Sequence, residues 1–357
     1  MMARPLSRFQ AMHQPKLPRS PSAAAFKEHT QLGSQPLTRR AFAKRSATAL
    51  PAIGLWSGLH RLVAAETAPP SSPAKPDSKV AGVQLGLNVP YSFGDGSMNA
   101  EEILKRCVQL GLSAVELRTQ PVESFLGADA ALIYPKKAPE GGRPTAPGQL
   151  ATWRQSVSLD RVKELRKKYE EAGVHIEIVK VDGLFKLTDA ELDYVFTLAR
   201  TLGGRAISTE ISNEESDLKR VGRFADQHRL MVGYHGHAST NPQHWEKAFS
   251  LAKHNGANVD LGHFVAGNNV SPVAFIKQHH ERITHIHVKD RKMHNGPNTQ
   301  FGDGDTPIVE VLRLIRDHKW NMQATIEFEY QIPAGSDRMT EIARTIKYCR
   351  DALTAAS

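Results

Sequence analysis

The chain has 357 residues, 40% of them hydrophobic, with only two cysteines. That apolar fraction supports a sizeable core and excludes global disorder, and two cysteines exclude a disulfide scaffold and a cysteine-based structural zinc site. The formal charge of +9 points to nucleic acid or an anionic membrane only until it is located. Of 46 basic and 37 acidic residues, ten basic and one acidic fall in residues 1–65, leaving 36 of each sign in the rest.

Residues 1–65 are rich in Ser, Pro, Ala and Gln and carry no sustained hydrophobic period. Thr38-Arg39-Arg40-Ala41-Phe42-Ala43-Lys44 resembles the twin-arginine export motif. The apolar run 47–59 behind it is too short and too Gly/Ser-rich to span a bilayer, and Val63-Ala64-Ala65 is an A-x-A-like cleavage site. Basic, apolar and small-residue regions in this order predict a twin-arginine signal peptide over 1–65. They imply the Tat translocase as a partner during export and a periplasmic or extracytoplasmic location. A disordered basic tail is the alternative. Residues 66–79 read as a Pro-rich extended linker.

From residue 80 to 355 one pattern repeats. Strands are predicted at 83–89, 114–118, 174–181, 205–211, 230–235, 257–261, 283–289 and 322–329. Helices are predicted at 99–110, 159–172, 189–202, 214–228, 242–254, 272–279, 307–318 and 337–352. A polar insertion, 120–158, follows the second strand; it contains Tyr134, Trp153 and Arg154 and lies on the side where a lid would form. Eight β/α units of this size predict an α/β fold, a (β/α)8 TIM barrel. A doubly wound open sheet competes, but no G-x-G-x-x-G follows the first strand.

Catalytic groups of such a barrel sit at the C-terminal ends of its strands. Here the last five strands end in Ser208-Thr209-Glu210, Tyr234-His235-Gly236-His237, Val259-Asp260-Leu261-Gly262-His263, His285-Ile286-His287-Val288-Lys289-Asp290 and Ile326-Glu327-Phe328-Glu329. Carboxylates and imidazoles converging on one rim form a hard-to-borderline metal site, suited to Mn²⁺, Co²⁺, Mg²⁺ or Zn²⁺.

Those strand ends, with Phe301-Gly302-Asp303-Gly304-Asp305-Thr306-Pro307 after the seventh strand, resemble the sugar phosphate isomerase/epimerase family of the xylose isomerase-like TIM-barrel superfamily. The resemblance implies one divalent metal, Mn²⁺ foremost, held by Glu210, Asp260, His287 and Glu327. It implies that His263 hydrogen-bonds a sugar substrate, that His235 and His237 line the sugar pocket, and that Lys289 faces substrate oxygens or neutralises Asp290. Glu210 and Glu327 would also act as acid and base on opposite faces of the substrate. The implied reaction is isomerisation or epimerisation by proton removal next to a carbonyl, through an enediolate. Epimerases of this superfamily often carry a second Glu six residues after the fourth-strand Glu; here that position is Ser216. A 3-keto-glycoside lyase using the same site is therefore the alternative. An endonuclease IV-like nuclease and a non-catalytic sugar-binding barrel are weaker readings, since the charge balance beyond residue 65 disfavours the first and the presence of both Glu210 and Glu327 the second. The expected partner is a small sugar, with no nucleic acid, no membrane beyond export, and a homo-oligomer allowed.

Other groups have plainer roles. His285 shares a strand face with His287 at a different depth and is expected to be packed. Glu329 reads as a loop acid, and Glu116 and Glu177 as barrel residues with internal partners. His254, His279, His280 and His318 are expected at helix ends, where a macrodipole suits them. Cys107 and Cys349, on the first and last helices, are expected as unpaired thiols or, less favoured, as a disulfide.

Overall fold

The computed structural model describes residues 75–134 and 147–355. The twin-arginine motif, the cleavage site and residues 66–74 lie outside the described residues, as do 135–146 of the insertion.

Eight strands form in the order expected: β1 (Val83–Val89), β2 (Ala114–Arg118), β3 (His175–Lys180), β4 (Ala206–Glu210), β5 (Met231–His235), β6 (Asn255–Asp260), β7 (Ile283–Val288) and β8 (Gln323–Ile326). Each runs parallel to its neighbours. β8 pairs back onto β1 through Leu85–Ala324, Gly86–Thr325 and Leu87–Ile326, which closes the barrel. Lys79–Val80 adds a two-residue antiparallel strand at the start of β1.

The surrounding helices are α1 (Ala100–Gln109), α2 (Thr119–Phe125), α3 (Ala130–Ile133), α4 (Pro147–Ser156), α5 (Asp160–Glu171), α6 (Asp189–Leu202), α7 (Glu215–His228), α8 (Pro242–Leu251), α9 (Leu261–Asn268), α10 (Val273–His279), α11 (Ile308–His318) and α12 (Arg338–Thr354). α6 shows why the sequence was legible: Thr188 and Glu191 form a capping box at its start, and Gly203 closes it with φ 88°.

Strand alternation sorts side chains between the helix layer and the barrel interior. His285 and His287 of β7 reach Glu116 of β2, so they point inward and Ile286 and Val288 point out to the helices. The interior is unusually polar for a barrel, with Asn88, Glu116, Ser208, Asn258, Gln323 and Thr325 all buried, where branched apolar side chains commonly fill the layers. Two register shifts set this up. One lies between Val115 and Glu116 on β2 against β3, and the other between Ala257 and Asn258 on β6 against β7. The second aligns Asn258 with His285 and Asp260 with His287.

Three elements differ from expectation. α8 stops at Leu251, so His254 lies in a connection, its Nδ1 2.7 Å from Asp226 Oδ1. α9 was not anticipated; it starts because Asp260 turns at the end of β6 and its Oδ1 accepts the His263 N–H at 2.7 Å. The insertion is not merely polar loop: it holds α2, α3 and α4. Cys107 and Cys349 are buried free thiols, their ionisation opposed by burial.

Candidate active site

Every strand end singled out in the sequence contributes to one continuous polar cluster at the C-terminal mouth. Its centre is the Lys289 ammonium, on the loop just past β7. Nζ lies 3.1 Å from Asp260 Oδ2, 2.7 Å from Glu327 Oε2 and 2.6 Å from Glu329 Oε2. These carboxylates hold the buried ammonium charged against the cost of its burial. Lys289 does not neutralise Asp290, the pairing the resemblance allowed. Asp290 is buried and instead accepts backbone N–H bonds from Gly302, Gly304 and Thr306 at 2.8, 3.0 and 3.2 Å. A Cβ on Gly304 would stand 1.8 Å from Asp290 Oδ1, so the second glycine of the 301–307 motif is required by that close approach.

Glu327 is nearly enclosed. Oε1 accepts from Asn88 Nδ2 at 2.8 Å, and Oε2 faces Lys289 and His287 Nδ1, the latter at 3.3 Å. His287 Nδ1 is also 3.8 Å from Asp260 Oδ2. The other ring nitrogen, Nε2, lies 2.6 Å from Glu116 Oε2. Although burial opposes charge on the His287 ring, Glu116 and Glu327 on either side push it up to about 10. Deeper in the barrel, burial pushes His285 down to about 4 against the pull of Glu116. Glu116 is held well below the ordinary carboxylate range by these two imidazoles, despite its burial. His285 and Glu116 are thus internal residues, as expected, and Glu177 pairs with Arg205 at 2.8 Å.

Glu210 stands across the His235 ring from Asp260. His235 Nδ1 is 2.9 Å from Glu210 Oε2, and His235 Nε2 is 3.5 Å from Asp260 Oδ2. Glu210 also takes His237 Nε2 at 2.6 Å and Lys180 Nζ at 2.6 Å. These partners keep it ionised far below its ordinary range although burial opposes this. Its side chain remains 46% exposed, against 6% for Glu327, and it opens with His237 into a cavity of about 140 Å³. His263, beside them, contacts Arg291 Nη1 through Nδ1 at 2.7 Å and Lys289 Nζ through Nε2 at 3.2 Å. Burial and the Lys289 charge push its pKa down to about 4 against the pull of Asp260. Both ring nitrogens thus face cationic donors, and a neutral ring can accept from only one of them at a time.

The chemistry of this donor set can be tested against a divalent ion. One donor atom each from His235, Asp260, His263 and Glu327 lie within 4.8 Å of one another, as do those of Glu210, His235 and His237. The buried atoms His287 Nδ1 and Glu327 Oε2 have no aligned hydrogen-bond partner. Carboxylate oxygens and imidazole nitrogens gathered in this way fit a hard-to-borderline divalent cation. Of the four ligands implied by the resemblance, Asp260, His287 and Glu327 meet directly, and Glu210 joins them through the His235 ring. Sequence reasoning missed Asn88, Tyr91, Lys180, Asn258 and Arg291. Asn88 and Lys180 are polar residues near the ends of β1 and β3, and that position was the available signal.

Comparison with known proteins agrees with this architecture. The profile of a family described as xylose isomerase-like TIM barrel matches residues 104–352. An inosose dehydratase of Clostridium botulinum (strain Eklund 17B / Type B) is 27% identical over 135 residues, covering 31% of this chain and only 45% of that protein. The probable 3-DHS dehydratase AsbF from Bacillus anthracis superposes with a TM-score of 0.54 at 12% identity, over 77% of this chain and 100% of that one. The 3-keto-D-glucoside 4-epimerase YcjR from E. coli gives 0.50 at 12% identity, over 75% and 99%. A xylose isomerase-like TIM barrel protein from Mycobacterium smegmatis in complex with magnesium gives 0.50 at 13% identity, over 76% and 97%. At these identities the structural likeness concerns the fold, and the family match covers most of the barrel. This chain belongs to the xylose isomerase-like TIM barrel family.

Proposed function

We propose that the protein is a divalent-metal-dependent enzyme that removes the proton next to the carbonyl of an unphosphorylated keto-sugar, and that loss of a neighbouring substituent follows. The observation that carries this reading is the inequality of its two candidate bases. Glu210 is ionised and half open to the mouth; Glu327 is enclosed by Asn88, Lys289 and His287.

Asp260, His287 and Glu327 would hold the ion, with Glu210 or His235 completing the set. When bound, such an ion supplies Lewis acidity at the carbonyl. Glu210 accepts the proton from the carbon, and His237, 2.6 Å away and exposed, relays it to solvent. His263, its ring 4.8 Å from that of His237, would border the same substrate. With a single open base, departure of a substituent is easier to complete than return of a proton to the opposite face. Dehydration and epimerisation of keto compounds both begin with this proton removal. The dehydratases and the keto-glucoside epimerase among the similar proteins support the reaction class. The magnesium-bound relative supports a divalent ion.

Epimerisation by Glu210 and Glu327 together is the second reading, favoured by the unaligned Oε2 of Glu327. Incubation with 3-keto-glucosides and free ketoses, followed by NMR, separates the two: released aglycone supports elimination, a new epimer supports the second reading, and no product from either class overturns both. Export by the twin-arginine route belongs to the same proposal, since it removes the enzyme from phosphosugars. An Arg39→Lys, Arg40→Lys double variant should abolish export of a fused reporter that requires folded passage, and normal export would contradict it.

A further inference from the structure

We propose that the cleft beside Glu329 is the subsite for the substrate's leaving group, and that this group is a second, uncharged sugar ring. The inference rests on the keto-sugar reading above and names the substrate class of that site as a two-ring glycoside.

The cleft has a volume of about 440 Å³ and is walled by Tyr91, Asn298, Phe328, Glu329 and Arg338. Pockets for small ligands run from about 300 to 1,000 Å³, so a single hydroxylated ring is accommodated. It adjoins the reacting centre. Glu329 Oε2, in its wall, lies 2.6 Å from Lys289 Nζ, which is 2.7 Å from Glu327 Oε2. Its residues come from the segments after β1, β7 and β8 and, with Arg338, from the first turn of α12, all at the mouth of the barrel.

The lining chemistry selects the ligand. Asn298 Nδ2 donates to Glu329 Oε2 at 3.2 Å, while its Oδ1 is buried without a partner. Tyr91 OH donates to Glu329 Oε1 at 2.5 Å, which holds the phenol in place. The second N–H of the Asn298 amide and N–H groups of Arg338 are left to meet hydroxyls of a bound ring. The Tyr91 ring is 40% exposed, and the Arg118 guanidinium is 5.1 Å from its centroid, so the ring is steadied and offers an apolar surface to C–H groups. Arg338 lies over Phe328 at 5.1 Å, anchored by Nη1 to Ser92 O at 3.1 Å. A Cβ on Gly94 would meet Arg338 Nε at 2.8 Å, so glycine there, at φ 75°, lets the guanidinium lie along the wall. Glu329 and Arg338 put one charge of each sign in the wall, so neither an anionic nor a cationic leaving group is favoured over a neutral one, and an apolar one would strip water from the polar wall without replacing its hydrogen bonds. A neutral polyol satisfies both.

The test separates the subsite from the reaction by using ligands that cannot enolise. Isothermal titration of the full mature protein, loaded with Mg²⁺, compares cellobiose with methyl β-glucoside. We expect cellobiose to bind at least tenfold more tightly, and Asn298→Ala and Arg338→Met each to cut that ratio at least fivefold. Circular dichroism of both variants checks that they are folded. Equal affinity for the two sugars, or a ratio unchanged in both folded variants, overturns the subsite. Turnover of methyl 3-keto-glucoside is measured in parallel: turnover without a two-ring preference defeats the subsite alone, and a two-ring preference without turnover defeats the reaction alone.

Discussion

Two buried ionic clusters in this molecule use the same residue types to opposite effect. On the flank, Arg154 of α4 grips Glu123 of α2 with two bonds, 2.7 and 3.2 Å, and Glu191 of α6 with a third at 3.0 Å. Glu191 is also engaged by the Thr188 cap. A five-donor guanidinium between two carboxylates is well matched in geometry, and it ties part of the insertion to the barrel. At the mouth, one ammonium faces three carboxylates, and buried donors on His287 and Glu327 remain unaligned. Both clusters carry more carboxylates than cations. On the flank every carboxylate oxygen has an aligned donor, and the cluster reads as a strap; at the mouth two buried polar atoms do not, and that cluster has the character of a functional site.

That contrast can be broken by substitution. The largest expected effect is on chemistry: Asp260→Asn or Glu327→Gln should lower turnover on the order of 10³-fold and remove stoichiometric metal, measured by steady-state kinetics and elemental analysis. Full activity and metal content in both would erase the distinction. Arg154→Met should instead cost about 3–5 kcal/mol of stability by denaturant titration, because Glu123 and Glu191 are left buried without their partner, while metal content stays the same. A loss below about 1 kcal/mol would show that the strap carries little. Lys289→Met should tighten metal binding about tenfold or more in calorimetry, since the ammonium and the ion draw on the same Asp260 and Glu327 oxygens. Weaker binding would make Lys289 a support of the ion rather than its competitor.

Acid sensitivity is the subtlest difference. Glu116, Glu210, Asp260 and Glu327 are all held below their ordinary values in the folded protein. Their contribution to stability is therefore present above the unfolded values of about 4 and is lost as pH falls below them. In the strap, burial pushes Glu123 up, whereas Glu191 is shifted down by Thr188 and Arg154 despite its burial, so the two act in opposite directions. Melting temperatures of chelator-treated protein should drop less between about pH 4.5 and 3 in Glu327→Gln than in the wild type. The same change in Arg154→Met should leave the slope nearly intact, and the reverse pattern would place acid sensitivity in the strap.

Much of this was readable before the fold was known. Short β-branched runs alternating with amphipathic stretches give the barrel's order, because periodicity is a local signal. The acids and imidazoles of the rim were visible because strand ends are where a barrel gathers chemistry, and the resemblance picked Glu210, Asp260, His287 and Glu327 from among them. What was not readable depends on contacts between distant strands. Glu116 pairs with His287 across 171 positions, and Asn88 meets Glu327 across 239. Lys289, which the resemblance let neutralise Asp290, meets instead Asp260 at the end of β6 and Glu327 and Glu329 beyond β8, because Asp290 is engaged by the backbone of 302–306. α9 was hidden because its cap, Asp260, also ends a strand.

The central claim is metal-assisted removal of a proton next to a carbonyl. It is tested most directly by incubating the purified protein with methyl 3-keto-β-glucoside in D₂O and following the C2 proton by NMR, with Mn²⁺ or Mg²⁺ added and then chelated. The account predicts loss of the C2–H signal, by exchange or by elimination, that requires the metal and stops on chelation. A C2–H signal unchanged with every metal, or lost equally after chelation, would contradict it.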